Sequence, residues 1–125
     1  MKREIKIKKV IFTLALVGVL FSNVVCTEKT VLTPKDKEWI GKPDSCHLYA
    51  EIAKIAMNCY QNKIGTKEEW LAAFIDENGN VTMPTDYKIV GSAYDWSIKI
   101  NEKDKQKAIS DYHAKIFKEC MALFE

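Results

Sequence analysis

The chain has 125 residues, 47% of them hydrophobic, with a formal net charge of +2 at pH 7, and this length allows one domain. Five of the 19 basic residues but only one of the 17 acidic residues lie in residues 1–26, which leaves 14 basic and 16 acidic side chains for the rest. Because phosphate binding needs clustered lysine and arginine, this balance argues against a nucleic-acid partner.

Residues 1–26 have the pattern of a secretory signal peptide. A basic segment from Lys2 to Lys9 precedes an apolar run from Val10 to Phe21. At ~12 residues, the run fits the core of a signal peptide and is shorter than the ~20 residues that a membrane-spanning helix needs. We therefore expect export to the periplasm or envelope.

The processing of this leader has three possible outcomes. Val24 and Cys26 fit tolerably at positions three and one before a cut, which favours release of the domain after Cys26. Lipidation of Cys26 is the second outcome, although Val25 stands where that processing prefers a small residue. In the third, the apolar run is kept uncleaved as a weak anchor.

Residues 27–43 are interpreted as a polar tether, because they contain Pro34 and Gly41 and show no sustained period. Trp39 and Ile40 interrupt this pattern. Either they fold back beside the first long helix, or Trp39 stays exposed as a docking residue.

The helical domain, residues 44–125, begins with the strongest helical pattern, from Asp44 to Gly65. Asp44 or Ser45 is expected to cap the first turn, and Gly65 to supply the left-handed residue at the end. Apolar residues recur at steps of three and four, on one predicted face: Cys46, Tyr49, Ile52, Ala53, Ala56, Tyr60 and Ile64.

Three further helices are predicted. A capping box of Thr66 and Glu69 starts the second, which ends at Asn78. The loop 76–84 lacks alternating strands on both sides and is interpreted as a helix–helix connection. A third helix begins at Pro84 and extends to about residue 98, and a fourth begins at Asn101. Short links between helices favour antiparallel neighbours. The expected fold is therefore all-α, a small four-helix up-down bundle.

The cysteine spacing tests this topology. Cys46 and Cys59 lie on one helix, roughly 20 Å apart along its axis, so they cannot bridge. In an antiparallel pair of first and last helices, Cys46 meets Cys120, whereas Cys59 reaches Cys120 only if the helices run parallel. The sequence therefore predicts one Cys46–Cys120 disulfide and leaves Cys59 as a buried thiol.

We expect no metal, no cofactor and no enzymatic activity. His113 and Cys120 lie two helical turns apart, about 10 Å, which is too far to share a small ion. No recognised catalytic or phosphate-binding motif occurs. A catalytic Cys59 with His113, or an acid/base pair at Asp76 and Glu77 or around Asp95, would need the fold to form a cleft, and solvent-facing carboxylates are the commoner case.

Several residues around the first helix occur in a characteristic order: Cys46, Ala53, Met57, Gln61, Ala93-Tyr94, Phe117 and Cys120. This order resembles a family of small exported proteins of bacteria, phages and prophages, which have a signal peptide, an opening helix cysteine, a Met-x-x-Arg-Gln segment, an Ala-Tyr pair and a C-terminal cysteine. The chain departs from the family at Tyr60, where arginine is usual. The resemblance implies export and a helical fold. The build is also similar to helical periplasmic immunity proteins that block secreted cell-wall enzymes.

The expected function is binding of an envelope or secreted protein, as an inhibitor, immunity or phage-exclusion module. Loops on rigid scaffolds often carry function, and Asp95 and Trp96 point away from the predicted core face. Core burial of Trp96 is the other possibility. The candidate partner-binding residues are Asn78, Asn80, Tyr94, Asp95 and Trp96. The alternative function is a carrier of a small apolar ligand, which would need a cavity lined by Met57, Phe74, Val90 and Ile116.

Overall fold

The computed structural model describes residues 29–125, so the predicted signal peptide and the processing of Cys26 lie outside the described residues. Those residues form five α-helices and one short 3-10 turn, and they contain no strand beyond a single Ile75–Val81 bridge. The predicted all-helical class is confirmed. The helices are α1 (Asp36–Ile40), α2 (Cys46–Gln61), α3 (Lys67–Ala72), α4 (Pro84–Ala93) and α5 (Glu102–Ala122), with the 3-10 turn at Pro43–Ser45.

The centre of the fold is an antiparallel pair of α2 and α5. Cys46 opens α2 and is disulfide-bonded to Cys120 in the last turn of α5, with their Cα atoms 5.6 Å apart. At the other end, the side chain of Gln61 accepts a hydrogen bond from the backbone of Lys99, just before α5 begins. The structure thus contains the Cys46–Cys120 pair that the sequence predicts, and Cys59 is a buried free thiol, also as predicted.

Helix α4 lies against α2 and runs parallel to it. Tyr60 in the last turn of α2 packs on Tyr94, which directly follows α4, with ring centroids 4.7 Å apart. Helix α5 closes the core from the other side, where the buried Tyr112 hydroxyl donates to the carbonyl of Ile89 at 2.5 Å. The three long helices therefore enclose one apolar core, with Met57 and Ile116 among its fully buried residues.

The second helix is shorter than predicted. Its capping box is present, with the Glu69 amide donating to Thr66 Oγ1 at 3.1 Å and the Thr66 amide to Glu69 Oε1 at 2.8 Å. However, α3 ends at Ala72, because the carboxylate of Asp76 accepts hydrogen bonds from the backbone amides of Asn78 and Asn80, both at 2.9 Å. These local bonds offer the backbone an alternative to the helix. Residues 73–83 instead form an exposed turn.

The predicted ends of the first helix are wrong in detail. Ser45 makes no side-chain capping bond, and the 3-10 turn leads into α2 instead. At the C-terminus, Lys63 rather than Gly65 is the left-handed residue that closes the helix, with φ of 56°. The amide of Ile64 donates to the carbonyl of Cys59 at 2.8 Å, and that of Lys63 to Tyr60 at 3.2 Å, as in a Schellman motif. Gly65 belongs to the turn beyond.

The described part of the predicted polar tether is folded onto the helices. Leu32 and Ile40 are only 3% and 4% exposed and belong to the hydrophobic core. Residues 29–40 are called the N-terminal strap below. Ile40 folds back onto the helices, as in the first of the two outcomes considered for this pair. Trp39 follows the second outcome, because its side chain remains 54% exposed. No helix formed by residues 29–125 is both long enough and apolar enough to cross a membrane.

Candidate binding groove

A groove runs along one side of the bundle, between the N-terminal strap, the connection from α4 to α5, and the middle of α5. Its volume is about 790 Å³, within the ~300–1,000 Å³ typical of ligand sites. The side chains that give it its character are Val31, Asp95, Trp96, Lys99, Asp111 and Lys115.

The connection between α4 and α5 is held in place by two adjacent residues of α2. Gln61 is 1% exposed, and its side-chain amide donates to the carbonyl of Ser97 at 2.9 Å and accepts from the amide of Lys99 at 2.8 Å. The neighbouring Tyr60 hydroxyl donates to the carbonyl of Trp96. Since a buried amide must find partners, Gln61 fixes this side of the groove.

Trp96 forms the apolar part of the groove. Its indole is half-buried and packs edge-on against the ring of Tyr112, with centroids 5.4 Å apart and planes at 68°. Tyr112 is fully buried, and burial raises its pKa well above the usual range for a phenol. Trp96 is therefore neither the freely exposed anchor nor the fully buried core residue that the sequence leaves open, because one part of its ring packs inward and another lines the groove.

The opposite side of the groove is the N-terminal strap, which Glu119 holds against α5. One carboxylate oxygen of Glu119 accepts from the backbone amides of Val31 and Leu32, both at 2.9 Å. The other oxygen accepts from Lys115 Nζ at 2.7 Å. This arrangement fixes Val31 at the edge of the groove.

A second carboxylate, Asp36, fastens the strap to α4. It accepts hydrogen bonds from Lys88 Nζ at 2.5 Å, the Thr85 hydroxyl at 2.6 Å and the amide of Thr33 at 2.8 Å. Burial alone would raise the pKa of this carboxyl group, but the hydrogen bonds from Lys88, Thr33 and Thr85 outweigh it and lower the pKa of Asp36 below its ordinary value.

The charges of the groove are only partly neutralised within residues 29–125. Asp111 is paired with Lys107 at 2.7 Å, and Lys115 with Glu119. Lys99 has no carboxylate partner among the described residues, and its ammonium group donates to Ser97 Oγ at 2.9 Å. Asp95 is exposed and makes no ion pair with any other residue of the range 29–125.

The structure places two of the five candidate partner-binding residues in the groove, Asp95 and Trp96. Tyr94 instead packs against Tyr60, and its hydroxyl is buried without a hydrogen-bond partner in residues 29–125. Asn78 and Asn80 belong to the exposed turn and do not line the groove. The five candidate residues therefore lie in three different places: the groove, the contact with Tyr60, and the exposed turn.

Sequence reasoning did not find Val31, Lys99, Asp111 or Lys115. The signal that the sequence does offer is Gln61, one turn after Met57 on the core side of α2. A glutamine at a core position indicates that a segment of backbone lies close by for it to bind.

The catalytic pair considered from the sequence is not brought together. His113 Nε2 lies 3.2 Å from Glu51 in the first half of α2, whereas Cys59 is near the end of that helix, roughly 12 Å further along its axis. Cys59 is 8% exposed, and burial raises the pKa of its thiol. Among residues 29–125, no three histidine, cysteine or acidic side chains are grouped as a metal site would require.

The residues proposed to line an apolar ligand cavity lie in the core. Met57, Val90 and Ile116 are buried members of one hydrophobic cluster, and Phe74 packs against its edge. These side chains contact the same core that joins the helices.

No protein-family model, curated protein or solved structure matches this chain. Its function is therefore inferred from the groove and from the residues that build it.

Proposed function

We propose that this protein is an exported, non-enzymatic binding protein of the bacterial envelope, and that the groove beside Trp96 is its partner site. It would act as an inhibitor, immunity or phage-exclusion factor by binding an envelope or secreted protein. With α3 and the following turn counted as one limb, the domain would be a four-helix up-down bundle behind a cleaved signal peptide.

The observation that carries this proposal is a half-buried tryptophan in a groove whose sides are fixed before any partner binds. Tryptophan is enriched among the residues that dominate binding energy at protein interfaces. Gln61 holds one side of the groove and Glu119 the other. Such preorganisation reduces the entropy lost on binding.

Two further observations support export. The Cys46–Cys120 pair is of a kind that persists in oxidising compartments and is rare in the cytosol. The resemblance to small exported proteins of bacteria and prophages extends over residues 44–124, and we propose membership of that family on the order of its short motifs.

Export is tested by fusing residues 1–26 to a reporter that is active only outside the cytoplasm. We expect activity, and a mature N-terminus at Thr27. A lipid-modified Cys26 would place the domain on a membrane surface instead, and a reporter that stays inactive would contradict export.

The site is tested by affinity capture from envelope extract with wild-type protein, Trp96→Ala and Trp39→Ala. Trp39 is the matched control, because it is 54% exposed and does not line the groove. We expect the same partner with wild-type protein and Trp39→Ala, and its loss with Trp96→Ala.

Because Trp96 also packs on Tyr112, the melting temperature of each variant is measured, and Asp95→Lys provides a second groove variant on an exposed side chain. A change in the amount of partner captured with Asp95→Lys, in either direction and at an unchanged melting temperature, supports the site. Loss with Trp39→Ala alone would place the interface elsewhere, and absence of any partner captured by the wild-type protein would contradict a binding function.

A further inference from the structure

We propose that the groove recognises an acidic, linear segment of its protein partner, with an apolar side chain against Trp96 and a carboxylate against Lys99 and Lys29. This inference rests on the proposed function, since it specifies the chemistry of the partner that the groove would bind.

The charge of the groove differs in sign from that of the domain. Residues 29–125 contain 14 lysines and 15 acidic residues, a net charge of −1. The groove is lined by three lysines and two aspartates, a net charge of +1: Lys29, Lys99, Lys115, Asp95 and Asp111. The groove is therefore a locally basic site on a slightly acidic domain.

Internal pairing removes one charge of each sign from this count, so the net charge of the groove stays at +1. Asp111 is engaged by Lys107, and Lys115 by Glu119. Within residues 29–125, two groove lysines, Lys29 and Lys99, then remain without a carboxylate partner. Asp95 is the one groove carboxylate that remains without a cationic partner in the same range. A ligand that brings carboxylates would complete the pairing, whereas a ligand rich in lysine or arginine would meet two ammonium groups.

Lys99 is the better defined of the two lysines. Its backbone amide is fixed by Gln61 at 2.8 Å, and its ammonium group rests on Ser97 Oγ at 2.9 Å. Part of the side-chain entropy that an ion pair normally loses is thus already lost in the free protein. A bond from this ammonium group to an incoming carboxylate is charge-assisted and about twice as strong as a neutral hydrogen bond.

Trp96 supplies the second contact. Because its indole is largely apolar, a ligand with charged groups alone would leave this part of the groove without a matching contact. Trp96 and Lys99 both line the groove and are three positions apart in the chain. A segment with an apolar residue close to an acidic one would engage both groups together. The open shape, bordered by residues 29–31 and 97–99, which lie outside the helices, is accessible to a linear segment of a partner chain.

The test is selection of a phage-displayed random 12-residue library on the full chain, isolated in whatever processed form the producing cell yields. We expect the selected peptides to be enriched in aspartate and glutamate next to apolar residues. A synthetic copy of the most frequent peptide is then titrated into the protein.

Binding is followed by tryptophan fluorescence in a Trp39→Phe/Trp70→Phe background, which leaves Trp96 as the single tryptophan of the chain. We expect a change in Trp96 emission, and a Kd about ten- to a hundredfold weaker for Lys99→Glu, as for loss of one hydrogen bond between charged groups. Lys118→Glu is the matched control, since Lys118 is an exposed lysine of α5 outside the groove. It should change the Kd less than threefold, the size of a surface charge effect of a few tenths of a kcal/mol.

Peptides without acidic residues, an unchanged Trp96 emission, or equal Kd values for Lys99→Glu and wild-type protein would each overturn the inference. These results are separable from failure of the proposed function. A protein partner that Asp95→Lys loses but Lys99→Glu retains would keep the binding function and remove the acidic ligand class. Absence of any envelope partner would remove the function even if acidic peptides bind the groove.

Discussion

Two segments outside the three long helices, the N-terminal strap and the turn at residues 73–83, differ in how their carboxylates are used. Asp36 in the strap bonds to Lys88 and Thr85 of α4, 52 and 49 residues away in the chain. Within residues 29–125, the carboxylate of Asp76 in the turn accepts hydrogen bonds only from amides two and four residues away. The carboxylate of the strap thereby makes tertiary contacts, whereas the carboxylate of the turn bonds within its own segment, which reaches the core through Phe74.

This difference shows that amino-acid composition alone does not distinguish a flexible tether from a folded segment. Both segments are rich in polar residues. What separates them is burial, since Leu32 and Ile40 of the strap enter the core, whereas Ile75 and Val81 of the turn remain 38% and 40% exposed. The predictions below test this contrast by weakening each segment, or what holds it, in turn.

The largest effect is expected from the disulfide, which joins the two helices under the strap. The double variant Cys46→Ser/Cys120→Ser should lower the free energy of unfolding by about 4 kcal/mol, because the bridge closes a loop of 74 residues. Denaturant unfolding measures this change. Hydrogen exchange should show the strap amides of Val31 and Leu32 losing protection before the turn changes. Cys59→Ser is the control, and an equal loss there would mean that removal of any buried sulfur explains the result.

The next effect compares the two carboxylates directly. Asp36→Ala leaves Lys88 and the buried Thr85 without their acceptor and should lower the free energy of unfolding by about 3 kcal/mol. Asp76→Ala removes two bonds on an exposed turn and should lower it by about 1 kcal/mol. Equal losses for the two variants would contradict the distinction between strap and turn.

The lowered pKa of Asp36 adds a pH dependence to this pair. A carboxyl group whose pKa is lower in the folded state contributes stability above its unfolded pKa of about 3.9 and loses it as the pH falls through the folded value. The difference in stability between wild-type protein and Asp36→Asn should therefore be large at pH 7 and shrink on acidification below pH 4. A difference that stays constant with pH would show that Asp36 is not ionised in its contacts.

A smaller effect is expected at the connection between α4 and α5, where Gln61 acts on residues 97–99 as Asp36 acts on the strap. Gln61→Ala should lower the free energy of unfolding by about 2 kcal/mol, because the carbonyl of Ser97 and the amide of Lys99 lose a buried partner. Groove-peptide binding should weaken with it. Asn62→Ala, one residue further, is the control. It removes only exposed hydrogen bonds to Asn58, so it should lower the free energy of unfolding by less than about 1 kcal/mol and leave peptide binding unchanged.

The smallest effect, and the only gain, is expected at Asp86, a buried carboxyl group in the first turn of α4. Burial raises its pKa, although a bond to its own backbone opposes this. A group with a raised pKa stabilises the fold fully only below its unfolded pKa, and the contribution is lost as the pH rises through the folded value. Asp86→Asn should therefore raise the melting temperature at pH 7 and leave it nearly unchanged at pH 3. A lower melting temperature at pH 7 would contradict this account.

The fold was predictable where the sequence pattern is local and periodic. The three- and four-residue spacing of α2 and α5, together with the distances that a disulfide allows, gave both the antiparallel pair and Cys46–Cys120. The strap was missed because Leu32 and Ile40 are isolated apolar residues with no period, and because the partners of Asp36 are distant in the chain. The end of α3 was missed because a side chain of the same segment competes for its backbone.

The candidate site was less accessible to sequence reasoning. The turn angle of a helix does not apply to Asp95 and Trp96, because α4 already ends at Ala93, and the Trp96 ring packs partly against the core. The other sides of the groove are formed by the strap and by α5, and only the tertiary structure brings Val31 and Lys115 beside Trp96. No sequence pattern within a single segment indicates that these three residues lie close together.

The amide of Gln61 also limits where this protein tolerates insertions. It bonds to the carbonyl of residue 97 and the amide of residue 99, the spacing that the N–H and C=O of one residue in a neighbouring parallel β-strand would satisfy. One residue inserted between Ser97 and Lys99 would move one of these groups out of reach of the same side chain. Related chains that keep a glutamine at this point of α2 should therefore keep this three-residue stretch at constant length, while the turn at residues 73–83 is free to vary.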